Sequence, residues 1–217
     1  MDRKQKLYVW LAALFVSALI TGDFIGGRFW LLGGFTLSAG IIPFPLTFVL
    51  TDIVNEFYGT VGARRLTYVG VGAAVFVWAI IQIALHLPPS PVSPISNEVF
   101  QTAFGSSARL FVASLTAFII GQLLDISIFR ALRRMTGHRL LWLRATGSTV
   151  LSQAIDSFTV SFVFLAGTES LGFITQNAAN NYVGKLIMAV LLTPVIYAIH
   201  AVFRRRMHVA ETASDGT

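Results

Sequence analysis

Five carboxylate residues lie inside or at the edge of strongly apolar segments: Asp23, Asp52, Glu56, Asp125 and Asp156. A charged side chain at the centre of a bilayer costs about 2.5–3.5 kcal/mol on insertion scales. Ionisable groups at this depth usually face a cavity and mark the route of a polar solute or a proton. These five residues therefore predict a protein that moves something polar across a membrane.

Other polar residues accompany the two central carboxylates of the second apolar segment. They recur four, five, eight and nine residues after the first, a spacing that places all of them on one helix face. The stripe consists of Thr47, Thr51, Asp52, Asn55 and Glu56.

A glutamine precedes an aspartate by three residues in two later segments. The pairs are Gln122 with Asp125 and Gln153 with Asp156, 31 residues apart. A carboxylate only accepts hydrogen bonds, whereas a glutamine amide both donates and accepts them. Together they can read a planar ligand edge that has N–H donors beside a carbonyl, as guanine-like rings do. A carboxylate also suits a cationic amine or a transported proton.

Two of the carboxylates have a structural alternative close by in the sequence. Asp125 lies five residues before Arg130 and can form an ion pair on the cytoplasmic side. Asp23 lies near the external end of its segment and close to Arg28, with which it can pair locally.

Cations and asparagines near the external ends of the later segments leave two interpretations open. Arg109 and Lys185 are either counter-charges for the buried carboxylates or anchors at the membrane interface. The polar stretch 176–181 either lines the external mouth of the site or is a solvated loop. Its candidate mouth residues are Asn177, Asn180 and Asn181.

Composition excludes several other classes of protein. Only 12% of the 217 residues are charged, about half of the roughly 25% typical of soluble proteins. The net charge of +6 is explained by basic residues that flank membrane helices, so no nucleic-acid partner is expected. The chain has no cysteine, and its four histidines lack metal-ligand spacing. We therefore expect no metal, no cofactor and no enzymatic activity.

Six apolar segments have the length that a membrane-spanning helix needs, about 20 residues. They cover residues 7–25, 29–58, 66–87, 109–129, 145–166 and 182–203. Of the 16 Lys and Arg residues, only Arg28, Arg109 and Lys185 fall on the odd-loop side. The positive-inside rule then places both termini in the cytoplasm. The sequence predicts one all-α polytopic membrane domain over residues 1–209 and a disordered cytoplasmic tail over 210–217.

The second segment is too long for one upright helix and contains prolines. Pro43 and Pro45 each lack a backbone donor and disfavour helix at the preceding residue. We therefore expect a break near 42–45, followed by a shorter helix to residue 58. The third loop, 88–107, is proline-rich and is predicted to carry a short interfacial helix over Asn97–Phe104.

Three ordered motifs resemble the queuosine precursor transporters, also called the vitamin uptake transporter family. The first motif is FPLTFVLTDIVNEFYG over residues 44–59. The second is RLFVAS over 109–114 followed by GQLLD over 121–125, and the third is RATGST over 144–149 followed by QAIDSF over 153–158. The resemblance covers roughly residues 43–197, which is most of the chain.

The resemblance implies a six-helix bacterial inner-membrane protein that imports deazaguanine precursors of the tRNA base queuosine. The expected substrates are 7-cyano-7-deazaguanine (preQ0) and its aminomethyl relative (preQ1). The helical arrangement is expected to be similar to the substrate-binding subunits of energy-coupling-factor importers. The residues that match the motifs, and so the implied binding residues, are Asp52, Asn55, Glu56, Arg109, Gln122, Asp125, Gln153 and Asp156.

Two other functions stay open from the sequence. The chain can be a binding subunit that hands its substrate to a separate ATP-driven module, or an intramembrane enzyme, for which no motif is present. Faces of small residues such as Gly70 with Ala74, and Ala113 with Ala117, suit either a docked partner, a homo-oligomer or ordinary helix packing.

Overall fold

The computed structural model describes residues 3–26, 28–32, 35–105, 108–136, 141–167 and 169–214. The fold is 87% helical. In chain order its elements are α1 (Arg3–Ile25), β1 (Phe29–Leu32), β2 (Phe35–Ser38), a short 3-10 turn (Ala39–Ile41), α2 (Phe44–His86), α3 (Asn97–Phe104), α4 (Ala108–Thr136), α5 (Leu141–Leu165) and α6 (Leu171–Ser214).

The distribution of side chains is that of a membrane protein. Large apolar residues face outward: Trp10 is 70% exposed, Phe76 66% and Leu191 64%. Polar residues such as Gln122 and Asp125 are fully buried. Within the described part of the chain, four stretches are long and apolar enough to cross a bilayer: Lys4–Ile25, Ala39–His86, Phe111–Thr136 and Thr146–Leu165. The predicted class, an α-helical multi-pass membrane protein, is confirmed.

The 43-residue helix α2 consists of two halves. At 1.5 Å per residue it would extend for roughly 65 Å, about twice the 30 Å of a hydrocarbon core. Gly59 interrupts it with φ 71° and ψ 179°, a conformation that is essentially restricted to glycine. We call residues 44–58 the short half of α2 and residues 60–86 the long half.

Contacts with α1 show that the chain reverses direction at Gly59. The hydroxyl of Tyr58, at the end of the short half, donates to the carbonyl of Lys4 at 2.8 Å. Along the long half, the Tyr8 hydroxyl meets the Gly62 carbonyl at 2.9 Å, and Phe15 packs on Gly70. The long half therefore runs parallel to α1, and the predicted separation into two segments near residue 59 is confirmed.

The start of the second predicted segment is not helical. The strands β1 and β2 pair antiparallel, with Phe29 opposite Ser38 and Leu32 opposite Phe35. The helical prediction is therefore wrong for these eight positions. Aromatic and β-branched residues such as Phe29, Trp30 and Thr36 favour strands, and this local preference prevails over hydropathy. The predicted break lies in the expected place, because α2 begins at Phe44 with Pro45 in its first turn.

The last helix begins earlier than the sequence suggested. α6 starts at Leu171, so residues 176–181, predicted as a loop, are helical. The Ser170 hydroxyl accepts from the backbone N–H of Phe173 at 3.3 Å and caps this helix. α6 continues to Ser214, past residue 210 where the predicted tail begins, and residues 215–217 lie outside the described ones. The predicted helix α3 is present over Asn97–Phe104.

The small-residue faces are used for packing within the chain. A side chain at Gly70 would place its Cβ 2.5 Å from the Phe15 ring of α1. Ala74, Ala113 and Ala117 are all buried. Successive helices pack in the order α1, α2, α4, α5 and α6.

Candidate functional site

The short half of α2 brings part of its polar stripe into the protein interior. Thr47 and Thr51 are buried, but their hydroxyls donate to carbonyls of the preceding turn at 2.6 and 2.8 Å. The Asn55 amide donates to the Ile126 carbonyl of α4 at 3.2 Å. Asn55 thus links α2 to α4, and Asp52 of the same stripe is also buried.

Asp125 lies where α2, α4 and α5 meet. Its side chain is fully buried, and the Ser152 hydroxyl of α5 donates to Asp125 Oδ1 at 3.1 Å. Ser148, Thr149 and Asp52 also lie near the Asp125 carboxyl. The alternative ion pair between Asp125 and Arg130 is not among these contacts, and Arg130 is exposed.

Asp156 pairs with a cation from the last helix. Its Oδ2 accepts a hydrogen bond from the Lys185 ammonium of α6, and both side chains are largely buried. Lys185 also lies 4.7 Å from the ring centroid of Phe44 at the start of α2. Of the two sequence alternatives for Lys185, counter-charge or interface anchor, the structure supports the counter-charge.

Glycine permits the close contact of α4 with α5 beside this pair. A Cβ added at Gly121 would lie 3.2 Å from Asp156 Cβ and 3.5 Å from Asp156 Oδ1. Gly121 precedes Gln122 directly, so the contact brings both Gln-x-x-Asp pairs to one place. We call the five buried residues assembled here the polar core: Asp52, Gln122, Asp125, Gln153 and Asp156.

Several polar atoms in and beside this core have no hydrogen-bond partner in the described part of the chain. Among the described residues, both amide atoms of Gln122, Gln153 Oε1, Asp125 Oδ2 and Ser157 Oγ are buried without a hydrogen bond. A buried polar atom without a partner costs about 1–3 kcal/mol. The arrangement is unfavourable for stability but well suited to bind a polar ligand that supplies both donors and acceptors.

Glu56 lies at one end of the core and pairs with Arg133, which the sequence analysis did not identify as a candidate site residue. Arg133 of α4 donates from Nη1 to the backbone carbonyls of Glu56 at 3.0 Å and Asn55 at 3.4 Å, and the same nitrogen lies 3.7 Å from Glu56 Oε2. These carbonyls end the short half of α2, where a cation is favourable. The sequence analysis used Arg133 only as one of the basic residues on the cytoplasmic side. Arg133 lies eight residues after Asp125, about two helical turns, and this spacing could have indicated that both lie on one face of α4.

The remaining predicted residues lie outside the core. Asn177 donates to the Oγ of Ser161 at 3.5 Å, and Ser161 follows Asp156 by five residues on α5. On α6, Asn180 is exposed and Asn181 is half-buried. The side chain of Arg109 is outside the described ones; its backbone belongs to the first turn of α4. Asp23 lines a cleft between α1, α2 and α4 whose wall includes Phe44 and Phe118. No metal-binding cluster of His, Asp or Glu occurs among the described side chains.

A buried polar core within apolar helices is typical of membrane transport proteins. Residues 38–199 match the family described as "Putative vitamin uptake transporter". The chain belongs to this family, which confirms the resemblance seen in the motifs and the prediction of a transporter rather than an enzyme.

Curated relatives carry names that agree with the family. The chain is 31% identical over 196 residues to the "Probable queuosine precursor transporter" of Bacillus subtilis, covering 90% of this chain and 83% of that protein. It is 25% identical over 175 residues to the "Queuosine precursor transporter" of Escherichia coli, covering 76% and 70% of the two chains. No solved structure matches this chain significantly.

Proposed function

We propose that this protein imports queuosine precursors, preQ0 and preQ1, across a bacterial inner membrane. The names of the Bacillus and Escherichia relatives support this substrate class. The family match spans the whole polar core. The observation that carries the proposal is the set of buried amide and carboxyl atoms on α4 and α5 that lack a hydrogen-bond partner among the described residues.

The chemistry of a deazaguanine ring complements these atoms. One edge of the ring presents N–H donors beside a carbonyl oxygen. The Asp125 carboxyl can accept from the donors, while the amide of Gln122 can donate to the carbonyl. A ring without this edge would leave the same buried groups unpaired, and that penalty is what makes hydrogen-bonding sites selective.

The architecture suits a transport cycle with six membrane crossings. Gly59 divides α2 into two antiparallel halves, and α6 adds a helix after the spans of α1, α4 and α5. The short half of α2 begins at Phe44, between Pro43 and Pro45. It follows an irregular stretch of backbone of the kind that membrane proteins tolerate beside a binding cavity. Thirteen of the 16 Lys and Arg residues then lie on the side of both termini, which favours cytoplasmic termini.

The test is binding followed by uptake with the purified full chain. We expect preQ0 to raise the thermal unfolding temperature in detergent, and guanine and adenine to raise it less. Gln153→Leu and Asp125→Asn are expected to weaken binding at least tenfold. Ser127→Ala is the matched control, since Ser127 is exposed on α4 and bonds only to the Leu123 carbonyl.

Uptake of labelled preQ0 into vesicles that contain only this protein then separates the functional alternatives. Accumulation supports a self-sufficient transporter. Binding without accumulation supports a binding subunit that needs an ATP-driven partner. Failure of preQ0 and preQ1 to bind at all would contradict the proposed substrate class.

A further inference from the structure

The ammonium group of Lys185 has one hydrogen-bond acceptor among the described residues. It donates to Oδ2 of Asp156, and it lies 4.7 Å from the ring centroid of Phe44. Both side chains of the ion pair are largely buried. A lysine ammonium has three N–H donors. With one donor on Asp156 and another side facing the Phe44 ring, Lys185 keeps a donor for an acceptor that the described part of the chain does not supply.

Contacts of α6 with α5 and α2 hold this cation in place. Tyr182 precedes Lys185 by three residues, and its hydroxyl donates to the Val150 carbonyl of α5 at 3.1 Å. Phe44 begins the short half of α2, so the ring contact ties the ammonium to a third helix. A cation fixed in this way is preorganised to bind a ligand, because less conformational entropy is lost when the ligand arrives.

The unpaired amides of the polar core lie beside the ion pair. Gln153 precedes Asp156 by three residues on α5, which places both on one face of that helix. On α4, a Cβ at Gly121 would lie 3.2 Å from Asp156 Cβ, and Gln122 is the next residue. The Oε1 of Gln153 and both amide atoms of Gln122 are buried without a hydrogen-bond partner among the described residues. A ligand that pairs with these amides therefore comes close to the Lys185 ammonium.

The substituent that distinguishes preQ0 from preQ1 is adjacent to the ring carbonyl of the deazaguanine, and the N–H donors of the ring lie on the other side of that carbonyl. In the proposed binding mode Asp125 accepts from the donors and Gln122 donates to the carbonyl. The substituent then lies beside Asp156 and Lys185. The nitrile of preQ0 is an uncharged acceptor, whereas the aminomethyl group of preQ1 is protonated at neutral pH and only donates.

We propose that Lys185 is a specificity-determining residue of the binding site, whose ammonium donates to the nitrile of preQ0 and disfavours the like-charged aminomethyl group of preQ1. This inference rests on the proposed function. Asp156 does not attract the preQ1 cation, because its charge is already neutralised by Lys185. Like charges brought together at a buried site act against the wrong ligand. The protein therefore selects preQ0 over preQ1.

The first test compares the affinities of three ligands for the purified full chain. They are preQ0, preQ1 and 7-deazaguanine, which has neither a nitrile nor an ammonium group. By titration calorimetry in detergent at neutral pH, the wild type should bind preQ0 most tightly, 7-deazaguanine less tightly and preQ1 most weakly. The affinities for preQ0 and preQ1 should differ by at least about tenfold, the equivalent of about 1.4 kcal/mol.

Substitutions at Lys185 should change this order. In Lys185→Gln, preQ0 should lose most of its advantage over 7-deazaguanine, and preQ1 should bind at least as tightly as preQ0, because Asp156 is then free to pair with the ligand ammonium. Lys185→Arg keeps the charge and should still bind preQ1 most weakly. Arg134→Gln removes an exposed cation from α4 and should leave all three affinities unchanged.

The second test observes the nitrile directly. The infrared stretch of the preQ0 nitrile depends on whether the nitrile accepts a hydrogen bond, so its frequency in the bound ligand should differ between the wild type and Lys185→Gln. It should be the same in the wild type and Arg134→Gln. If Lys185→Gln does not fold, Lys185→Gln/Asp156→Asn replaces it, since removal of both charges leaves neither unpaired. Its ratio of preQ0 to preQ1 affinity should be lower than that of the wild type.

The outcomes separate this inference from the proposed function. If none of the three ligands binds to the wild type, the proposed substrate class is refuted. If the wild type binds preQ1 as tightly as preQ0, the selective role of Lys185 is overturned and the transport proposal is left intact. A preference for preQ0 that is unchanged in the folded variants without Lys185, or a nitrile stretch that does not move, also overturns it.

Discussion

Lys185 of α6 and Asp156 of α5 form an ion pair inside the polar core, with side chains 17% and 4% exposed. The same ammonium faces the ring of Phe44 at the start of α2. One cation therefore joins three helices at the point where the Gln-x-x-Asp pairs meet. Cation–π contact of this kind adds about 0.5–2 kcal/mol, depending on desolvation.

Removing only the cation of this pair should destabilise the protein. Breaking a buried pair costs about 3–5 kcal/mol because the remaining charge is unpaired. We expect Lys185→Met to lower the unfolding temperature in detergent. The double variant Lys185→Met/Asp156→Asn should recover part of the loss. Strictly additive effects of the two substitutions would contradict a direct pair.

A side chain at Gly121 should disturb the polar core, because Gly121 lies in the contact between α4 and α5 and is adjacent to Gln122. Gly121→Ala adds a Cβ at 3.2 Å from Asp156 Cβ, closer than most side chains allow. Gly72→Ala is the matched control, because no atom lies within 4 Å of its added Cβ. We expect weaker preQ0 binding and a lower unfolding temperature for Gly121→Ala than for Gly72→Ala. Equal behaviour of the two variants would mean that the helices do not need this close approach.

The reversal at Gly59 should require glycine because of the backbone conformation at this position, and not because a side chain would lack space. A Cβ at Gly59 meets no atom within 4 Å, yet φ 71° with ψ 179° is strained for any other residue. Such strain costs about 1–3 kcal/mol. Gly59→Ala should lower the unfolding temperature. Gly72→Ala should raise it slightly, because alanine stabilises a helix interior by about 0.5–1 kcal/mol relative to glycine. If both substitutions stabilise the protein, α2 is continuous through residue 59.

Replacing Gln122 with an apolar residue should increase the stability of the protein and weaken ligand binding. The two amide atoms of Gln122 are buried without a partner among the side chains and backbone that the structure describes, so Gln122→Leu removes a desolvation cost of about 1–3 kcal/mol. We expect a higher unfolding temperature without ligand, together with at least tenfold weaker preQ0 binding by titration calorimetry. A variant that is destabilised but binds normally would show that Gln122 is structural.

Arg133 should stabilise the end of the short half of α2. Arg133→Gln removes both its hydrogen bonds to the Asn55 and Glu56 carbonyls and its charge beside Glu56. Arg134→Gln removes the same charge from an exposed neighbouring position and serves as the control. Because Arg133 is partly exposed, we expect a loss of only about 1 kcal/mol, seen as a lower unfolding temperature than that of Arg134→Gln. Indistinguishable melting curves would contradict this role.

Local patterns in the sequence predicted which polar residues lie in the interior of the protein. Asp52, Gln122, Asp125, Gln153 and Asp156 were identified because buried carboxylates and amides at helical spacing are rare in apolar segments. All five are buried in one region of the structure. The strands at 29–32 and 35–38 and the helical form of 176–181 were missed, because hydropathy alone does not separate a strand from a helix and tertiary packing can override weak propensity.

The sequence by itself determined that this is a helical membrane protein with polar faces turned inward, since hydropathy and helical periodicity are local properties. Only the tertiary structure decided which groups meet: Lys185 with Asp156 across 29 residues, and Arg133 with Glu56 across 77. It also showed that Asn55 links α2 to α4 through the Ile126 carbonyl and that Ser152 of α5 donates to Asp125. These pairings depend on which helices pack and how closely, a property set by contacts such as that of Gly121 with Asp156 and not by spacing along the chain.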